Sequence, residues 1–106
     1  MNPGNSRMLI GLALLAGAAA SPAQDAPTLR TRSLAATCAQ CHGTEGHAVA
    51  GAAVPGLAGL PAGYLIDQMT AFKSGARAAT VMHQIARGYS DVQIDQLARY
   101  FAAQPK

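Results

Sequence analysis

The 106-residue sequence has no tryptophan, only two phenylalanines and three tyrosines, two cysteines, and 12% charged residues. Each scarcity excludes something. Two cysteines cannot build a multi-disulfide scaffold. The lack of a lysine- or arginine-rich run, or of aromatics interleaved with basic residues, argues against a nucleic-acid partner. Alternating valine, isoleucine and threonine patterns are missing too, so the expected class is all-α. The longest apolar run, Met8 to Ala20, is 13 residues, short of the roughly 20 that span a bilayer.

That run is better read as a targeting segment. It follows Arg7, shows no polar face, and exits through small residues, Ala18-x-Ala20 or Ser21-Pro22-Ala23. A basic start, short apolar middle and small-residue exit describe a secretory signal peptide. The expectation is a signal peptide over residues 1–23, cleaved after Ala20 or Ala23, and a single exported, periplasmic domain over 24–106 with no stable membrane span. Residues 24–106 carry seven basic against five acidic side chains, a net charge near +2. A domain of this size has a marginal core and needs a staple: a disulfide, a metal or a cofactor.

Both cysteines lie in Cys38-Ala39-Gln40-Cys41-His42. In an exported protein Cys-x-x-Cys-His is the attachment signature of c-type haem. Two thiols three positions apart reach the two vinyl groups, and the adjacent imidazole points at the iron. The competing chemistries fit less well. A thioredoxin-like redox pair uses the same spacing but expects a buried strand before it, which Thr28 to Thr37 does not resemble. A zinc site wants four ligands, usually in two separated pairs, and His47 is the only nearby fourth candidate. The expected cofactor is one covalent haem c, held by Cys38 and Cys41 and ligated by His42.

A haem electron carrier takes a second axial ligand, and methionine opposite histidine raises the potential. Outside the signal peptide, Met69, Met82, His47 and His83 are available. Met69 sits in a helical stripe with Tyr64, Leu65, Gln68 and Phe72, a pattern typical of core filling. Met82 follows the Gly75–Thr80 stretch, far enough from His42 for the chain to reach the other face of the ring, and is favoured. His47 reads as a loop residue and His83 as an exposed helix residue. Methionine ligation also disfavours a peroxidase, which needs an open distal position. The free imidazole nitrogen of His42 needs an acceptor to orient the ring; the carbonyl of Pro55, in Val54-Pro-Gly-Leu-Ala-Gly59, is the candidate.

Helices are expected from about Thr28 to Ala39 with Leu29 and Leu34 inward, from Pro61 to Ser74, from Val81 to Arg87, and after a capping box at Ser90-Asp91-Val92-Gln93. In the last, Ile94, Leu97, Ala98 and Phe101 make an i, i+3, i+4, i+7 stripe. Leu57, Leu60, Tyr64, Leu65, Ile85 and Leu97 are expected to line an apolar cofactor pocket, with Lys73 and Arg77 as candidate charges at its rim or plain surface residues.

With these pieces in order, the chain resembles the class I cytochrome c domain. The segments Cys38–Gly46, Pro55–Leu60, Tyr64-Leu65, Phe72-Lys-Ser-Gly75, Ala79–Met82 and Ile85–Asp91 are similar to the cytochrome subunit of flavocytochrome c sulfide dehydrogenase. Ala76 stands where that family tends to have an acid, and Ala78 where a proline is common. The resemblance implies crossed first and last helices with Leu34 near Leu97 and Phe101, thioethers at Cys38 and Cys41, and axial ligands His42 and Met82. It further implies that the chain is no enzyme by itself. It would be the haem subunit beside an FAD-containing subunit that oxidises sulfide, passing electrons to other periplasmic carriers. The alternative is a free soluble cytochrome shuttle.

Overall fold

A computed structural model describes residues 23–106; nearly all of the expected signal peptide lies outside the described residues. The architecture is all-helical, with no strand among them. Its elements are α1 (Ala26–Ala36), α2 (Ala39–His42), a single 3₁₀ turn at Thr44–Gly46, α3 (Ala62–Ser74), α4 (Met82–Arg87) and α5 (Asp91–Ala102).

The helix ends follow from local chemistry. Asp25 caps α1 by accepting from the Thr28 backbone N–H at 2.8 Å, and Pro27 occupies its first turn, where the missing N–H costs nothing. Gly75 ends α3 in the left-handed conformation at φ +83°. At α5 the capping box is complete: Ser90 Oγ accepts from the Gln93 N–H, and the Gln93 side chain accepts from the Ser90 N–H.

The first helix departs from expectation. It stops at Ala36 rather than Ala39, and a turn at Thr37-Cys38 separates it from α2. The Thr37 hydroxyl donates to the Leu34 carbonyl at 2.7 Å, closing the last turn with a side chain. Leu29, expected inward, is 48% exposed, and the buried residue of α1 is Ala35.

The core is small. α1 and α3 pack on α5, and α4 on α3. Ala35, Leu65, Leu97, Ala98 and Phe101 form the buried cluster, with Leu34, Cys38, Leu57, Leu60 and Tyr89 packed against it. Leu34 thus packs against the cluster that holds Leu97 and Phe101, as the crossed-helix expectation required. The 43–59 loop is laced to α5 and to itself: Leu57 and Ala58 N–H donate to the Gly46 carbonyl, and Gly59 N–H to the Phe101 carbonyl at 2.9 Å. Gly46 is buried at φ +82°, and a Cβ there would meet Ala58 N at 2.8 Å. Only glycine fits that approach. Among the described residues no helix is long and apolar enough to cross a membrane.

Candidate functional site

The expected site residues come together around one cavity of about 360 Å³. The α1–α2 turn supplies Cys38, α2 supplies Cys41 and His42, the loop supplies Pro55, and α4 supplies Met82. All six expected apolar residues (Leu57, Leu60, Tyr64, Leu65, Ile85 and Leu97) line the same space. Met69 lines it too, so both methionines face the cavity. Neither His47 nor His83 is among its lining residues.

His42 is oriented from behind. Its Nδ1 donates to the Pro55 carbonyl at 2.7 Å, which leaves Nε2 as the nitrogen free to bind a metal. The loop can bring that carbonyl in because Gly43 takes φ +84°, where any Cβ would collide with the His47 carbonyl at 2.0 Å. His47 itself is engaged elsewhere: Nε2 donates to the Pro105 carbonyl at 2.7 Å, and Nδ1 lies 3.2 Å from the Thr44 carbonyl. It ties the loop to the chain's last residues.

The two cysteines are free of a disulfide, Cys38 half-buried and Cys41 exposed. Burial pushes the Cys38 thiol up from its ordinary value. The Thr37 hydroxyl, 3.9 Å from its sulfur, partly offsets this, and the Cys41 thiol reinforces it.

The two candidate rim charges differ. Lys73 donates to the Tyr89 carbonyl and to Asp91 Oδ1, both at 2.8 Å, so it braces α3 against the start of α5 rather than serving a cofactor. Arg77 lines the cavity, sits 4.6 Å above the Phe72 ring and donates to Gln68. His83, expected in solvent, is half-buried, with an Nδ1 shielded from water and lacking a partner. Tyr89 was absent from the expected site. Its hydroxyl reaches Thr37 Oγ1 at 2.8 Å, and both residues line the cavity. Its sequence signals were an aromatic directly after Gly88 and its place in the Ile85–Asp91 segment of the family resemblance.

A pair of thiols, an imidazole and a thioether on the wall of one largely apolar cavity is a donor set that suits haem c. No described group of three or more histidine, cysteine or acidic side chains could hold a bare metal ion, which leaves the zinc alternative without support among the described residues.

Comparison with known proteins agrees. The cytochrome c family profile matches residues 30–104. The chain is 37% identical over 86 residues to the cytochrome subunit of sulfide dehydrogenase of Chlorobaculum tepidum, covering 80% of this chain and 76% of that protein. It is 42% identical over 71 residues to the thiosulfate dehydrogenase electron acceptor of Stutzerimonas stutzeri, covering 67% of this chain but 33% of the relative. The chain therefore spans about a third of that relative's length. Among solved structures, a cytochrome c4 of Acidithiobacillus ferrooxidans superposes with a TM-score of 0.66 at 29% identity, covering 78% of this chain and 52% of that one. The shared helical plan, the Cys-x-x-Cys-His motif on the cavity wall and the family match lead to one statement: this chain belongs to the class I cytochrome c family.

Proposed function

We propose that the chain is a monohaem periplasmic cytochrome whose haem c is bound through Cys38 and Cys41, with His42 and Met82 as axial ligands, and that it accepts electrons from an FAD-containing, sulfide-oxidising subunit. The observation that carries the haem assignment is the convergence of these four residues on one cavity. Residues 1–23 act as the export signal and 24–106 as the mature domain.

The haem supplies a reversible one-electron couple. The protein's part is to bind it and to tune it. The Pro55 carbonyl, by accepting from His42 Nδ1, fixes the ring and would increase the electron density that Nε2 offers a haem iron. Met82 would be the softer ligand, of the kind that raises the potential. Leu57, Leu60, Leu65, Ile85 and Leu97 would pack on a bound haem and keep water from it. Met82 stands at the first turn of α4, whereas Met69 lies mid-helix in α3, a position suited to filling the cavity's floor.

Support for the flavoprotein partner comes from coverage: the Chlorobaculum relative is matched over most of both chains. The thiosulfate dehydrogenase acceptors match in one third of their length, and acceptance of electrons from a thiosulfate-oxidising enzyme is the second reading; a free shuttle is the third. Two measurements test the proposal. Met82→Ala should abolish the ferric thioether–iron absorption and lower the potential, while Met69→Leu leaves both unchanged; the reverse result would move the ligand to Met69. Purification from the native host should co-isolate flavin absorbance and sulfide-dependent haem reduction, and a flavin-free preparation that sulfide does not reduce would sink the partner assignment.

A further inference from the structure

We propose that Tyr89 is a positioning residue which, through Thr37, clamps the Met82-bearing helix to the cysteine edge of the cavity and so keeps the sixth ligand on the iron. The inference rests on the ligand assignment made above.

Donor bookkeeping sets the direction of the clamp. Thr37 Oγ1 lies 2.7 Å from the Leu34 carbonyl and 2.8 Å from the Tyr89 hydroxyl. A carbonyl only accepts, so the single Thr37 proton goes to Leu34, and Tyr89 donates to Thr37 Oγ1. Conversion of Cys38 to a thioether removes a thiol proton that this arrangement does not use.

The backbone of Tyr89 is fixed from the other side. Its carbonyl accepts from Lys73 Nζ, whose second partner is Asp91, and its N–H donates to the Ala86 carbonyl at 3.2 Å. Residue 89 is therefore pinned by α3 and the start of α5 through the main chain, and by the end of α1 through its side chain. The helix it follows packs on α3 but is anchored weakly at its own ends and interior. α4 is six residues long, has no side-chain cap, and buries only Ala86. Thr37 adjoins one cysteine and Tyr89 terminates the Met82 helix. Their hydrogen bond, spanning 52 positions in sequence, thus joins the segments that carry opposite sides of the site.

The test uses the ferric holoprotein and imidazole as an exogenous ligand competing with Met82. Tyr89→Phe should bind imidazole about three- to tenfold more tightly than wild type, the range set by losing one neutral hydrogen bond; Thr37→Val, which also loses the bond to the Leu34 carbonyl, should bind it at least as tightly. The double variant should match Thr37→Val alone, and Thr37→Ser should return to wild-type affinity. Unchanged imidazole affinity in Tyr89→Phe, even with a lowered melting point, would reduce Tyr89 to a structural role and overturn the proposal; so would additive effects in the double variant. A wild-type protein without thioether–iron absorption would overturn both this and the ligand assignment, whereas wild-type absorption with unaltered variants removes the clamp alone.

Discussion

His42 and Pro55, 13 residues apart, meet at 2.7 Å through an imidazole nitrogen and a backbone carbonyl. The acceptor is main chain, so its position is governed by the loop that carries it and not by the identity of residue 55. Gly46 is where that loop touches the core: an added Cβ would also press on Phe101 Cδ1 at 2.9 Å. Gly46→Ala should destabilise the holoprotein by roughly 1–3 kcal/mol, from strain at positive φ and overpacking. Denaturant unfolding checks this, and a change below about 0.5 kcal/mol would show that the loop can lift from α5 freely.

Leu97 is 4% exposed and belongs both to the core cluster and to the cavity wall. Truncating it removes packing on both sides at once. Leu97→Ala is expected to cost roughly 2–5 kcal/mol, measured on the haem-loaded protein. A loss under about 1 kcal/mol would mean that the neighbouring side chains collapse into the gap.

The Ser90–Gln93 box satisfies two otherwise orphaned N–H groups at the start of α5. Ser90→Ala should lower stability by about 1 kcal/mol with an unchanged denaturant slope. An altered slope would instead locate the effect in the unfolded chain.

Asp25 provides the pH-dependent element at the other end of the fold. Hydrogen bonding to Thr28 holds its carboxyl below the ordinary value of 3.8. Because the folded value lies under the unfolded one, its stabilisation is complete above pH 3.8 and disappears as pH falls through the lower, folded value. In Asp25→Asn, which can still cap, the loss of stability in this acid window should be shallower than in wild type. Matching acid curves for the two proteins would assign the window to other carboxylates.

Local signals made most of the helices legible. Pro61, Gly75 and the Ser90 capping box mark helix ends through their own backbone chemistry, and the α5 stripe states its buried face directly. What escaped depends on partners distant in sequence. Periodicity carries α1 onward to Ala39, but the Thr37 hydroxyl ends the helix early, with Tyr89 bonded to it from 52 positions away. Leu29 looked like core because a leucine in a helix usually is; in this arrangement α5 packs over the small Ala35 instead. Cys38, Cys41 and His42 were legible because c-type haem attachment prescribes both residue type and spacing, whereas Met82 and Pro55, which share their cavity, were picked from a few candidates by their place in the chain. Tyr89 and Lys73 act through a hydroxyl and an ammonium whose partners only the folded chain reveals.

The brevity of α4 separates two stabilities within one small molecule. α1 and α3 pack on α5, whereas α4 packs on α3 and reaches the end of α1 through the Tyr89 anchors. α4 buries only Ala86 fully, so opening it alone exposes less apolar surface than global unfolding and costs less free energy. Amide exchange should therefore find α4 less protected than α3 and α5. In the reduced and oxidised states, which differ in how strongly iron favours a thioether sulfur, the same segment should show the larger change in protection. Redox state would then be written into the dynamics of six residues while the rest of the fold stays fixed.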